Sequence, residues 1–339
     1  MGSLPVCLLA LVCLWPSLPS ARAVIPAMSA GSPEMLDERL IDIGGGRRLN
    51  MVCIGKGSPT LVFDQALGGT ILDWQYIQAE VSQTNRACFY DRAGYGYSDA
   101  SDRARSPQNV TDDLHALLLK AGERKPVVLV GHSIGGRYAT YYYERFPAEV
   151  AGMVLVDPGF AGQDDLHLSD SDQTFFDGLR VKVLRKWSNC ANAARNGSIT
   201  LEDPQGCFAA KLPYYTPDEA VRMLPVYQRP ERWETIASEY IHADEDKGPQ
   251  RDWNALPVVV LTRDKFQPTP GQSEASHQAV VEVWKRGHQA LAARSSRGEA
   301  ISVPDSSHYI QASQPAAVVA AIRQVLAEVR TSPGPRGRE

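Results

Sequence analysis

The sequence predicts an α/β protein with a mostly parallel sheet flanked by helices, and three observations support this fold class. Strand and helix signals alternate along the chain, as they do where crossover helices connect parallel strands. Residues 126–130 and 150–156 are continuous apolar runs, which are typical of strands buried on both faces. The length of 339 residues is generous for one domain, so we expect one large core with an insertion.

The pattern predicts eight strands, together with helices, in chain order. An opening hairpin is expected because three consecutive glycines, residues 44–46, separate two strand-like runs at residues 39–43 and 48–54. The other predicted strands lie at residues 60–64, 87–90, 126–130, 150–156, 257–262 and 300–303. Helices are predicted at residues 109–121, 138–146, 274–294 and 315–329.

The segment between the sixth and seventh strands has a different character, with helices and loops but no strong strand. One helix start is clear, because Thr216 suits an N-cap, Pro217 the first turn and Glu219 the capping box. The segment is also rich in aromatic residues, some of which we expect to line a pocket. We interpret residues 159–255 as a helical cap inserted into the core.

This organisation divides the chain into five parts. The core is expected at residues 24–158 and 256–330, with the cap between them and a disordered tail at residues 331–339. Residues 1–23 are interpreted as a signal peptide, because the apolar run is short for a membrane span and ends with Ala21 and Ala23 in a small-x-small pattern. An uncleaved anchor is the alternative, since no Lys or Arg precedes the apolar run. We therefore expect a secreted or periplasmic protein without a stable membrane span after processing.

The cysteines fit an exported protein. Four of the six lie beyond the predicted leader, and an even number in an exported chain suggests two disulfides. Cys190–Cys207 is the most direct pairing because both residues lie in one short segment, and Cys53–Cys88 then follows by elimination. The alternative is four buried free thiols.

Charge and composition limit the classes of partner. The formal net charge is −4 and the pI about 6.0, which gives no reason to expect a nucleic-acid partner and leaves small neutral or cationic substrates open. No cysteine or histidine spacing resembles a zinc site, so we expect neither a metal nor another cofactor. The expected partner is a small-molecule ester or amide substrate, and the sequence leaves the oligomeric state open.

The strongest chemical signal is the pentapeptide Gly131-His132-Ser133-Ile134-Gly135, which has the pattern G-x-S-x-G. It lies between a buried strand and a helix, which is the context of a nucleophile elbow. The turn is so tight that side chains at positions 131 and 135 would collide, and it holds Ser133 in a strained conformation at the start of a helix. We therefore predict that Ser133 is a nucleophile.

A serine hydroxyl needs a base to take its proton, and His308 is the best candidate. It directly follows the last predicted strand and precedes the final helix. His132 is adjacent to Ser133 in sequence, but its side chain is expected to point away from the hydroxyl. The remaining histidines lie in predicted helices or in the cap, and we interpret them as surface or packing residues.

The base in turn needs a carboxylate that orients it and stabilises its charged form. Two candidates follow strands at the same edge of the sheet. Asp157 ends the strand at residues 150–156, and Asp264 lies just after the strand at residues 257–262. Either carboxylate could reach a histidine loop at that edge.

With these residues in place, the chain resembles the α/β-hydrolase superfamily from about residue 40 to residue 326, apart from the cap. The run at residues 90–99, YDRAGYGYSD, looks like the turn after strand 4 of that family, where it is structural. The family commonly places its acid after strand 7 in a pattern like G-D-x-D, in which the second acid is catalytic. Here Asp264 matches the first acid and Phe266 occupies the catalytic position. This departure favours Asp157, at a position that some members use.

The resemblance also implies an oxyanion hole made of two backbone N–H groups. One is expected from Ile134, the residue after the nucleophile. The other is expected from the loop after strand 3, where the family often has His-Gly-x and this chain has Gln65-Ala66-Leu67. Leu67 is the matching donor, and only its N–H is required.

These residues predict a serine hydrolase that cleaves a carboxylic ester through an acyl-enzyme intermediate. An aminopeptidase-like or C–C-bond hydrolase would use the same three side chains and is the main alternative. Dehalogenases and epoxide hydrolases of the superfamily have an aspartate at the elbow, so Ser133 disfavours both. A catalytically dead binding protein is a further alternative, although the complete set of Ser, Asp and His argues against it.

Overall fold

A computed structural model describes residues 39–163, 169–202, 205–208, 215–245, 248 and 251–331. The predicted signal peptide at residues 1–23 lies outside the described residues, as do positions 332–339 of the predicted tail. The predicted cap is described in several pieces, with gaps at 164–168, 203–204, 209–214, 246–247 and 249–250.

All eight predicted strands are present in one sheet with the order β1-β2-β4-β3-β5-β6-β7-β8. The strands are β1 Leu40–Gly44, β2 Arg47–Ile54, β3 Leu61–Asp64, β4 Ala87–Tyr90, β5 Val127–His132, β6 Val150–Val156, β7 Val258–Arg263 and β8 Gly298–Val303. The pairs β1–β2 and β2–β4 are antiparallel, and every other neighbouring pair is parallel. The fold class predicted from the sequence is therefore confirmed.

The helices of the described residues include four-residue turns and long segments. They are α1 Gln78–Val81, α2 Pro107–Lys120, α3 Ile134–Arg145, α4 Asp170–Arg195, α5 Pro217–Tyr227, α6 Pro230–His242, α7 Glu274–Ala293, α8 Ile310–Ser313 and α9 Pro315–Thr331. Short 3-10 helices lie at Ile71–Trp74 and Pro147–Glu149. None of these helices is both long enough and apolar enough to cross a lipid bilayer.

The centre of the sheet carries the core and places the chemistry. Every residue of β3, β4 and β5 is buried, which explains why these strands are apolar rather than alternating. Because β3 to β8 run parallel, their carboxyl ends meet at one edge of the sheet, where ligands of open α/β sheets usually bind. The loops that carry Leu67, Ser133, Asp157 and His308 all leave the sheet at that edge.

The insertion between β6 and β7 contains α4, α5 and α6, which pack on one another and on the core. The predicted start of α5 is confirmed, because the Thr216 N–H donates to Glu219 Oε2 at 2.7 Å and the Glu219 N–H donates to Thr216 Oγ1 at 3.3 Å. Just before α6, the Arg229 guanidinium donates to the carbonyls of Gly96 and Ser98 in the turn after β4. The insertion is thus held on the turn that the resemblance to the α/β-hydrolase superfamily implies to be structural.

Both predicted cysteine pairs are disulfides in the structure. Cys190 and Cys207 join the end of α4 to the following loop of the insertion. Cys53 and Cys88 are directly opposite one another in the antiparallel pair β2–β4. Disulfides of this kind are typical of proteins from oxidising compartments.

Candidate active site

The loop at Ser133 has the geometry of a nucleophile elbow. β5 ends at His132, α3 begins at Ile134, and Ser133 between them has φ 56° and ψ −123°. A positive φ is strained for a residue with a side chain, and such strain costs of order 1–3 kcal/mol. Here the strain sets the side chain of Ser133 at the start of a helix, as the sequence predicted.

Two glycines make this turn possible. A Cβ at Gly131 would lie 2.5 Å from the carbonyl oxygen of Gly135. A Cβ at Gly135 would lie 2.4 Å from the carbonyl oxygen of Asp64, at the end of β3. Only glycine therefore lets the beginning of α3 approach the end of β3 and the first residue of the loop that follows it.

The structure brings His308 against Asp157. His308 Nδ1 lies 2.5 Å from Asp157 Oδ2, and both side chains are buried. The other carboxylate oxygen, Oδ1, accepts the Arg263 N–H at 3.1 Å and the Trp284 Nε1–H at 2.9 Å. The Arg263 guanidinium also lies 3.5 Å from Oδ2. Asp157 is therefore a buried carboxylate with fixed partners on both oxygens.

These contacts determine the charge states of the pair. Burial alone would raise the pKa of Asp157, but the charge of Arg263 and the hydrogen bond with His308 hold that pKa well below its usual range. Burial lowers the pKa of His308 from its ordinary value, and Asp157 opposes this shift only in part. An ionised Asp157 thus faces a neutral His308, which is the form that can accept a proton.

The alternative carboxylate lies elsewhere. Asp264 is exposed, and its Oδ2 accepts the Asp305 N–H at 3.3 Å. The neighbouring Phe266 contacts the guanidinium of Arg263, whose Cζ lies 4.4 Å from the ring centroid. The residue in the family's usual catalytic place therefore supports the arginine beside Asp157.

The loop of His308 is held by residues whose importance was not predicted. His132 Nε2 donates to the carbonyl of His308 at 2.9 Å, and His132 Nδ1 accepts from the Gln311 amide at 3.0 Å. His132 was expected only to point away from the hydroxyl of Ser133. Its position next to Ser133 in the motif was the one available signal, because its partners lie more than 170 residues away.

One atom of Ser133 and one of His308 have no hydrogen-bond partner in the described part of the chain. Ser133 Oγ and His308 Nε2 are both buried, and neither makes a hydrogen bond there. Because Nδ1 is occupied by Asp157, Nε2 is the nitrogen left to act as a base. Hydrogen bonds between nucleophile and base are often loose before substrate binds.

A buried arginine holds the loop after β3. Arg92 donates to the carbonyls of Gln65 at 2.6 Å and of Ala66 at 2.9 Å, directly before Leu67. It also pairs with Asp64 and, through Nε at 2.9 Å, with Glu239 of α6. One guanidinium thus connects the predicted oxyanion loop to the insertion.

This arrangement predicts a large loss of stability on removal of the charge. Arg92→Met should lower the free energy of unfolding by about 3–5 kcal/mol, because Asp64 and Glu239 would stay buried without their counter-ion. Urea unfolding followed by circular dichroism measures the change. Arg48→Met is the control, since Arg48 pairs with Asp99 at the surface and should cost less than about 1 kcal/mol. Equal losses in the two variants would contradict the prediction.

A third buried histidine, His288, interacts with the charge of Asp157. His288 Nε2 donates to the carbonyl of Pro158 at 2.9 Å, and its Nδ1 lies 2.7 Å from Thr262 Oγ1. Both nitrogens are satisfied in the neutral ring. Burial lowers the pKa of His288 to about 4, although the charge of Asp157 opposes this shift.

The lowered pKa of His288 predicts acid sensitivity. In the unfolded chain this histidine has its ordinary pKa of about 6.5, so the unfolded state takes up the proton first as the pH falls. Between pH 7 and pH 4 the wild-type protein should therefore lose about 3 kcal/mol more stability than His288→Gln. Urea titrations at several pH values measure this difference, and parallel curves for the two proteins would contradict it.

Comparison with known proteins places this geometry in a family. The model of the alpha/beta hydrolase family matches residues 62–321. An uncharacterized protein, YbdG, from Bacillus subtilis is 30% identical over 126 residues, which are 37% of this chain and 38% of YbdG. The chain spans about half or less of the length of the curated relatives it matches.

Two solved structures illustrate the fold. The epoxide hydrolase CorEH superposes with a TM-score of 0.63 at 14% identity, over 86% of this chain and 99% of CorEH. A thermophilic esterase from Thermogutta terrifontis superposes with a TM-score of 0.58 at 19% identity, over 87% of this chain and all of the esterase chain. At such identities these likenesses show the fold alone. The match across residues 62–321 shows more: the chain belongs to the alpha/beta hydrolase family.

Proposed function

We propose that this protein is a serine hydrolase that cleaves carboxylic esters, with Ser133 as nucleophile, His308 as base and Asp157 as the orienting carboxylate. One observation carries the proposal. The Nδ1 of His308 is bound to a buried carboxylate whose two oxygens both have hydrogen-bond partners. Its Nε2 has no hydrogen-bond partner among the described residues. A serine at the elbow also separates this chain from superfamily members that use an aspartate there.

The proposed reaction is acyl transfer in two steps. Ser133 Oγ attacks the ester carbonyl while its proton passes to His308 Nε2, and Asp157 stabilises the imidazolium that forms. The negative charge on the carbonyl oxygen is received by the N–H groups of Leu67 and Ile134. His308 returns the proton to the departing alcohol. Water, deprotonated by His308, then attacks the acyl-enzyme and releases the acid and free Ser133.

The helix and loop around Ser133 suit this chemistry. The Ile134 N–H is free for a ligand because the first N–H groups of a helix have no carbonyl partner within it. Arg92 secures the carbonyls of the two residues before Leu67, which fixes the direction of the Leu67 N–H. Donors held in this way need little reorganisation during the reaction, and each is worth about 10²–10³ in rate.

We further infer that residues 159–255 act as a cap over Ser133 and that the protein works in a secreted or periplasmic location. Ser133 and His308 are almost completely inaccessible to solvent, which supports a covering segment that must shift to admit substrate. The two disulfides support an oxidising compartment.

The test combines a covalent probe with a substrate series. A fluorophosphonate probe should label the protein at Ser133, identified by peptide mass spectrometry. p-Nitrophenyl esters of increasing acyl length should be hydrolysed, while aminoacyl anilides should not. Cleavage of the anilides would change the assignment to an aminopeptidase-like enzyme. Absence of both labelling and hydrolysis would overturn the proposal in favour of a catalytically dead scaffold.

A further inference from the structure

A buried cation of the insertion lies against the loop after β3. Arg232, in the first turn of α6, donates from Nη2 to the carbonyl of Gly68, the residue after Leu67. One turn later, Ile236 packs on the same loop, with its Cδ1 3.2 Å from the position a Cβ of Gly68 would take. This face of α6 therefore borders the predicted oxyanion hole.

The guanidinium of Arg232 is incompletely satisfied. Arg232 is 2% exposed, and its Nε and Nη1 have no hydrogen-bond partner among the described residues. Its Cζ lies 4.4 Å from the ring centroid of Tyr227 and 5.7 Å from that of Tyr95. Stacking on aromatic rings holds a guanidinium in place but leaves the N–H groups at its edge free to bind an anion.

The acidic side chains nearby are already engaged. No carboxylate of the described residues forms an ion pair with Arg232. Asp91 interacts with its charge, but the Asp91 oxygens accept from Asn50 Nδ2, the Ile71 N–H and the Tyr97 N–H. Glu239, two turns further along α6, pairs with Arg92 and accepts from Tyr95.

A buried charge with unfilled hydrogen bonds is costly, and such groups normally have a partner. We propose that the partner is the substrate: Arg232 forms an anion subsite beside the oxyanion hole, and the natural ester carries a free carboxylate group. This inference rests on the proposed ester hydrolysis and adds the substrate class. It differs from the expectation drawn from the formal net charge of −4, which left small neutral or cationic substrates open.

The bonding requirements of a carboxylate match what Arg232 leaves open. A guanidinium presents parallel N–H groups that bind the two oxygens of a carboxylate together. Each edge of Arg232 that can do so consists of Nη2 with either Nε or Nη1, and the last two have no partner among the described residues. Nη2 gives one of its two hydrogens to the carbonyl of Gly68, so its other hydrogen completes one edge for a carboxylate. Binding of the carboxylate would therefore place the reacting carbonyl close to the donors that receive its charge.

The test uses pairs of esters that differ in one charge. Mono-p-nitrophenyl esters of succinate, glutarate and adipate carry a free carboxylate on the acyl side. Each is compared with the diester in which that carboxylate is a methyl ester. 4-Acetoxybenzoate and its methyl ester place it on the alcohol side. In at least one pair, the wild-type kcat/KM should favour the acid, and Arg232→Met should reduce the acid-to-methyl ratio by about 100-fold.

Arg229 provides a matched control. It also belongs to the insertion and donates to two core carbonyls, those of Gly96 and Ser98, but it contacts the turn after β4 rather than the loop of Leu67. Arg229→Met should leave the acid-to-methyl ratio within about threefold of wild type. An equal fall in the ratio for both variants, or no charge preference in the wild type, would overturn the anion subsite.

A binding measurement separates this inference from the proposed function. Glutarate, but not dimethyl glutarate, should slow fluorophosphonate labelling of wild-type Ser133 and raise the melting temperature, and both effects should disappear in Arg232→Met. These wild-type data also decide the question if Arg232→Met does not fold. A melting shift without any labelling or ester cleavage would overturn the proposed function but retain the subsite. Ester cleavage without a glutarate effect or an acid preference would overturn the subsite alone.

Discussion

Replacing Ser133 by alanine is expected to lower kcat for every ester substrate by about 10⁶-fold and to abolish covalent labelling by a fluorophosphonate. The loss should be this large because the remaining parts of the site cannot form an acyl-enzyme without the hydroxyl. Stability should not fall, since Ser133 Oγ makes no hydrogen bond within the described residues. Stopped assays at high enzyme concentration and intact-protein mass spectrometry measure the two losses.

Ser98→Ala is the matched control for this experiment. Ser98 is also a buried serine, but its hydroxyl donates to the carbonyl of Asp91 and accepts the Asn50 N–H, so it has a structural place. This variant should keep the probe reaction and lose about 1 kcal/mol of stability. Labelling that survives in Ser133→Ala would show that another nucleophile carries the chemistry.

The second large effect is expected at Asp157. Asp157→Asn should lower kcat by about 10⁴-fold while leaving the protein folded. The contacts give the reason. The N–H groups of Arg263 and Trp284 both donate to Oδ1, so the carbonyl oxygen of an asparagine would stay at that position. Its amide NH₂ would then face His308 Nδ1 and force the ring proton onto Nε2, where it prevents removal of the serine proton.

Asp264→Asn is the control that separates the two carboxylates. Its side chain is exposed and accepts one N–H at the surface, so the variant should keep kcat within about twofold of wild type. The pair of variants should be compared on the same ester, together with the probe reaction. A loss in Asp264→Asn and retention in Asp157→Asn would transfer the carboxylate role to Asp264.

Local sequence patterns predicted the elements of this fold because each pattern lies within a few residues. The apolar run of β5, the two glycines of the elbow and the start of α3 are neighbours in the chain, and their geometry follows from contacts between neighbours. The capping box of α5 is similarly contained in Thr216–Glu219. The alternation of strands and helices then sufficed for the sheet, since connections between parallel strands leave few arrangements.

Other features depended on residues that meet only after folding. Arg92 belongs to a motif that the resemblance to the superfamily implied to be structural, and its charge gave no sign that it would pair with Glu239 of the insertion. Arg232 lies 164 residues from the carbonyl of Gly68 that it contacts. Helical periodicity and the motif indicate whether a side chain is buried. Neither indicates which distant residue the side chain contacts, so neither predicted these partners.

The sequence by itself therefore determined the eight strands and their succession along the chain, and the elbow at Ser133. It also determined the position of a histidine after the last strand and the two cysteine pairs. Only the tertiary structure showed that Asp157 rather than Asp264 contacts His308, and which residues hold the loop of that histidine. Asp157 and His308 are 151 residues apart, and His132 and Gln311 are 179 residues apart. The physical reason is that local conformation depends on neighbours in the chain, whereas charge state and hydrogen bonding depend on neighbours in space.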